Sequence, residues 1–108
     1  MENINRIELK GYVGSVRMNE ISGKKVVNFT LATDVTYKGK DNVATTETTW
    51  HNVVAWSSKE MPDLGLISKG TPVHLIGRLR SNKYTNAEGV DKYYMEVLAS
   101  KVKIVTEE

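Results

Sequence analysis

Apolar and polar residues alternate along much of this chain. Ile7, Leu9, Gly11 and Val13 interleave with Glu8, Lys10 and Tyr12, so residues 4–16 read as a strand with one apolar face. Val27, Phe29 and Leu31 share one face of a second strand over 26–36. Asn19, Ser22 and Gly23 place a turn between them, over 17–25. The polar stretch 37–47 reads as a hairpin arm, with Gly39 and Asp41-Asn42 at its tip. A third strand covers 48–56. Residues 57–70 change character. Ser57-Ser58 are candidate caps for a short helix with Glu60 in its first turn, and Met61, Leu64 and Ile67 are candidates to face a core. Pro62 and Gly65 limit that element to a short helix or an irregular turn, and Lys69-Gly70 suits its end. Two more strands follow at 71–81 and 93–105. Between them lies a second long hairpin over 82–91, with its turn at 86–89.

The predicted order is strand, strand, strand, short helix, strand, strand. This is an all-β chain, and the layout fits a five-stranded OB-fold barrel with one short helix between strands 3 and 4 and two long hairpins. One domain over residues 1–108 accounts for the length. The exposed face of such a barrel binds oligonucleotides or oligosaccharides, and the fold alone does not choose between them. No apolar run approaches the roughly 18 residues of a membrane helix. Residues 1–6 lack the apolar stretch of a secretory signal, which predicts a cytoplasmic chain.

Catalytic chemistry finds little support. The absence of cysteine excludes disulfides, thiolate nucleophiles and cysteine zinc sites. His51 and His74, the only histidines, both fall in predicted strands. The eight glycines are scattered and form no phosphate cradle. The expectation is a binding protein without cofactor or metal. Fifteen Lys and Arg against 13 Asp and Glu give a net charge of +2, too mild to announce a polyanionic partner. A polyanion site needs charge placed locally.

The aromatics carry more information. Trp50 and Trp56 are six residues apart in one strand, so an unbroken strand puts both on one face, with Asn52 and Val54 between them. His51, Val53 and Ala55 occupy the other face. Taken alone, each tryptophan fits a core as well as a contact surface. Tyr37 and Tyr84 sit on the polar hairpins, flanked by Lys38 and Lys40 and by Arg78, Arg80 and Lys83. A sequence-tolerant binder of unpaired strands needs this interleaving of flat rings for bases and cations for phosphates. Each stacked base contributes ~1–3 kcal/mol, and a duplex hides its base faces. A module binding a protein or sugar through the same rings is the reading from another class. The basic hairpin residues disfavour it.

At these residues the sequence resembles the bacterial single-stranded-DNA-binding protein family. Matching blocks run in family order: 5–14, 28–33 (ending Leu31-Ala32-Thr33), 49–54 (opening Thr49-Trp50-His51), 69–73, 77–80, 83–85 and 89–93. The resemblance implies an OB barrel that binds single-stranded DNA through four aromatic positions. They correspond here to Tyr37 and Tyr84, where tryptophan is common, to Trp50, and to Trp56, where phenylalanine is frequent. Asn52 stands where the family often has arginine, and the first loop, around 15–25, is slightly shorter than usual. The resemblance also implies homotetramers, a nucleoid-associated cytoplasmic location, and roles in DNA replication, recombination and repair. His51 is then a candidate oligomer-interface residue, and a satisfied core histidine is the equal alternative. The sequence ends at Glu108 without the family's Gly/Gln/Pro-rich tail and its acidic, apolar tip. Recruitment of repair and replication proteins through such a tip is not expected of these residues. A primosomal replication protein of the short dimeric OB type has a similar length and is the alternative within the fold. Four aromatic positions argue against it.

Overall fold

The computed structural model describes residues 1–59 and 61–106. Glu60, expected in a first helical turn, and the terminal Glu107-Glu108 lie outside the described residues. Five strands, β1 (Ile7–Ile21), β2 (Lys24–Lys38), β3 (Ala44–Trp56), β4 (Pro72–Thr85) and β5 (Asp91–Ile104), close into a barrel in the order β1-β2-β3-β5-β4. Among the described residues only the β3–β5 contact is parallel, and it is short: Val53 lies opposite Val97 and Val54 opposite Leu98. This is the expected OB-type barrel.

The strands outrun the sequence reading. Residues 17–21, expected in a turn, continue β1, and Ile21 pairs with Lys24 across a two-residue loop. Ser22 and Gly23 both have positive φ, 51° and 79°, as a hairpin turn matched to strand twist requires. The β2–β3 ladder stays in register from Val26–Trp56 out to Lys38–Ala44. The β4–β5 ladder reaches Thr85–Asp91. Both hairpins are therefore paired ribbons projecting beyond the barrel. They raise the radius of gyration to 16.3 Å, against about 13 Å for a compact chain of this length.

The core sits inside the barrel and includes Leu9, Val13, Val27, Phe29, Leu31, Val53, Ala55, Val73, Leu75, Val97, Ala99 and Val102. Two bulges set its phase. Val13 faces Leu31 but Val16 faces Phe29, so β1 carries one extra residue at 14–15. Ile76 faces Lys101 but Gly77 faces Ala99, so β5 carries one extra residue, Ser100. Each bulge lets a strand switch its side-chain parity and still face inward on both sides of the bend. The displaced polar groups find partners: the Ser15 N–H donates to Thr30 Oγ1 at 2.9 Å, and Ser100 Oγ donates to the Ile76 carbonyl at 3.1 Å.

The expected helix is one 3-10 turn, Leu64–Leu66. Its cap is Asp63, whose Oδ1 accepts from the Gly65 N–H at 2.9 Å, and not Ser57-Ser58. Ser57 instead extends the β2–β3 contact, donating from its N–H to the Lys25 carbonyl at 2.9 Å. Leu64 and Ile67 join the buried core, with Met61 packed against it. Among the described residues no helix is long and apolar enough to cross a membrane.

Candidate nucleic-acid interface

Strand alternation decides which candidate residues share a face. In β3 the inward positions are Val53 and Ala55, so Trp50, Asn52, Val54 and Trp56 point outward. In β4 the inward positions are Val73, Leu75 and Gly77, so Arg78, Arg80, Asn82 and Tyr84 point outward. Their partners on β5 are Leu98, Glu96, Tyr94 and Lys92. Because Val54 abuts Leu98, the outward rows of β3, β5 and β4 form one continuous surface.

The candidates divide on that surface. Trp50 is 60% exposed and Tyr84 52%. Trp56 is only partly exposed, beside its cross-strand partner Val26, which is buried. Val54, expected on the contact face, is buried at the floor of that face. Tyr37 is exposed, but it shares the parity of Leu31 and Phe29. It therefore lies on the opposite side of the β2–β3 arm from Trp50, while Lys38 keeps the Trp50 side. Lys40 sits at the arm's tip. Lys83 falls on the side of the β4–β5 arm opposite Tyr84 and stands 3.8 Å from Asp91. Arg78 is exposed and lines a groove with Arg6, Leu98 and Ser100. His51 is half-buried, with Nε2 2.9 Å from Thr33 Oγ1.

Trp50 has a prepared seat. A Cβ built on Gly14 would lie 2.4 Å from the indole Cζ3 and 2.8 Å from Thr30 Oγ1. The indole therefore lies across β2 and against the β1 bulge, and glycine at 14 is what leaves room for it. The ring is braced on one side and open to solvent over most of its area.

Beside it runs a groove of ≈ 450 Å³ lined by Arg17, Asn28, Thr30, Asn52, Tyr94 and Glu96, among others. Sequence reasoning singled out only Asn52 of these. Glu96 is buried, 6% exposed. It accepts from Arg80 Nε at 2.7 Å and from the Asn82 amide. A lone buried carboxylate would repel a polyanion and resist desolvation, so Arg80 and Asn82 make it tolerable here. Asn82 also reaches the Tyr94 hydroxyl at 3.4 Å, and the Tyr94 and Tyr84 rings meet at 6.0 Å with a 54° tilt. The signal for this cluster was the parity of 80, 82 and 84 against 96 and 94, which needs the strand register to read.

Among the described residues no group of His, Cys, Asp and Glu could hold a metal ion. The surface offers rings, amides and guanidinium groups, a chemistry of stacking and hydrogen bonding.

Comparison with known proteins agrees. The model of the single-strand binding protein family matches residues 4–105. Single-stranded DNA-binding protein 1 of Chlorobaculum tepidum is 31% identical over 105 residues, covering 94% of this chain and 65% of that protein. The single-stranded DNA-binding protein of Neisseria meningitidis is 27% identical, covering 95% and 60%. The chain thus spans about three fifths to two thirds of the length of these relatives. Among solved structures, the Plasmodium falciparum SSB complex with ssDNA superposes with a TM-score of 0.78 at 26% identity, covering 98% of each chain. A deletion mutant of the Thermus aquaticus single-stranded DNA binding protein shares the fold, with a TM-score of 0.76 at 17% identity, covering 95% of this chain and 51% of that one. With its barrel, its outward rings and a family match over nearly every residue, the chain belongs to the single-strand binding protein family.

Proposed function

We propose that this chain binds and coats single-stranded DNA with little sequence preference, in DNA replication, recombination or repair. The family is one of non-enzymatic DNA-binding proteins, and two of its relatives carry that activity in their names. Bases stack on Trp50 and Tyr84, with Trp56 contributing its exposed edge. Arg78 and Lys38 meet phosphates on the same side. Tyr37, Lys40 and Lys83 contact the strand where it passes around the arms. In this reading copies of the chain assemble into homotetramers, which light scattering tests directly.

One observation carries the reading. The indole of Trp50 is braced on Gly14 and 60% exposed, on the same outward surface as Tyr84. An unpaired base covers such a ring, and a paired one cannot reach it.

Titration with oligo(dT) tests this through tryptophan fluorescence. Substantial quenching at low salt is expected, weaker quenching with a matched duplex, and loss of affinity as salt rises. Absence of quenching by oligo(dT), or equal response to duplex, overturns the reading.

A further inference from the structure

We propose that the groove between the β1 bulge and β5 is a subsite for one unpaired nucleotide, with Tyr94 as an additional stacking ring. The inference rests on the reading above that the chain binds single-stranded DNA, and deepens it.

Tyr94 lies on the outward surface beside Glu96 and is 41% exposed. Tyr84 and the Asn82 amide hold it from the arm side. Preorganised in this way, the ring loses little entropy when a base covers it. Across the groove stand Asn28 and Asn52, diagonal neighbours on the β2–β3 ladder, since Asn28 pairs with Val54 and Thr30 with Asn52. Neither side-chain amide makes a hydrogen bond among the described residues. Each amide offers both donors and an acceptor, the complement of a base edge. Arg17, the register partner of Asn28, supplies a cation on the β1 side for the phosphate. The Glu96 carboxylate adds no free negative charge, because Arg80 pairs with it. A groove of ≈ 450 Å³ falls within the usual range of small-ligand sites. A ring, two unengaged amides and a cation around one space suit a base, its edge and its phosphate.

The test compares Tyr94→Phe, Tyr94→Leu and Tyr94→Ala by fluorescence anisotropy of labelled oligo(dT), with thermal melts as the check on folding. Tyr94→Phe keeps the flat ring and is expected to bind within about 2-fold of the parent. Tyr94→Leu and Tyr94→Ala are expected to weaken binding by roughly 5- to 150-fold, the effect of one lost stacking partner. Their salt dependence stays that of the parent. Arg17→Ala does the converse, lowering the slope of log K against log salt by about 0.7. Should Tyr94→Ala lower the melting temperature sharply, Tyr94→Leu, which keeps apolar bulk, carries the comparison. Parental affinity in Tyr94→Leu overturns the stacking role, and an unchanged slope in Arg17→Ala overturns the phosphate contact. Failure of the parent itself to bind oligo(dT) sinks the wider reading first, and so is distinguishable from failure of the subsite.

Discussion

Over β3 and the β4–β5 arm the outward positions hold Trp50, Asn52, Tyr84 and Tyr94. Over β1 and the first half of β4 they hold Glu8, Lys10 and His74, with Lys101 and Lys103 beside them on β5. Tyr12, paired with Ala32 on one side and Pro72 on the other, marks the border. Both surfaces grow from the same barrel with the same alternation. The second is an ordinary charged sheet face, where His74 Nε2 approaches Glu8 Oε2 at 2.6 Å. Exposed pairs of that kind contribute only ~0–1 kcal/mol. The first gives its positions to rings that stand 41–60% exposed and to the exposed Asn52 amide. Positive charge occurs on both surfaces, so charge does not set the proposed binding face apart. Exposed rings, and the glycine that seats one of them, do.

The largest expected effect attacks the aromatic surface at both ends. Trp50→Ala combined with Tyr84→Ala removes two stacking partners and is expected to weaken oligo(dT) binding by at least roughly 30-fold. Both rings are more than half exposed, so the melting temperature should shift little. Anisotropy titration and a thermal melt read the two quantities separately. Near-parental affinity in the double variant breaks the comparison. A collapsed fold would instead return these rings to the core.

A second prediction concerns a residue whose role the two surfaces make ambiguous. From sequence, Arg80 is one more basic hairpin residue. In the structure its Nε serves the buried Glu96. Arg80→Ala is therefore expected to act first on stability. It leaves a buried carboxylate with only Asn82, at a cost of about 2 kcal/mol, discounted because the Arg80 side chain is 34% exposed. A loss of that size lowers the melting temperature by about 10 °C in a domain this small. Glu96→Gln in the same background should recover part of it, because an amide needs no counter-charge. An unchanged melt would return Arg80 to the set of cations serving only the ligand.

How much of this was legible from sequence follows from what each feature depends on. Local period gave the five strands, and spacing put Trp50 and Trp56 on one face, because alternation is a property of the strand itself. The bulges were visible only as a change of parity, Val13 to Val16 and Ala99 to Val102, and such breaks look like noise until a partner strand explains them. Tyr94 does not stand out within the strand expected over 93–105 for this reason. It stands one position from Met95 and two from Glu96, and its face is set by the phase on the far side of Ser100. The division of Tyr37 from Trp50 has the same origin. An arm still paired at Lys38–Ala44 carries strict alternation outward, so a tyrosine on a polar hairpin has a defined side. The short helix between strands 3 and 4 was legible in place and amounts to a single 3-10 turn, since Asp63 caps it and Pro62 and Gly65 bracket it closely.

The smallest expected effect tests the other half of the comparison. Lys101→Ala and Lys103→Ala remove two cations, as many as Arg78→Ala and Arg17→Ala together, and change the net charge from +2 to 0. If the whole protein's charge drew the polyanion, both pairs of substitutions would cost alike. Interactions between exposed charges are screened over about 10 Å at 0.1 M salt, so a cation off the strand's path contributes little. Only neutralised phosphates enter the salt slope, about 0.7 each on a single strand. Lys101→Ala with Lys103→Ala should thus leave affinity within about 2-fold and the slope unchanged. Arg78→Ala with Arg17→Ala should lower the slope by about 1.4. Titrations of oligo(dT) across a salt series decide between them. A matching fall in slope for the lysine pair would extend the binding surface around the barrel and dissolve the distinction between its two faces.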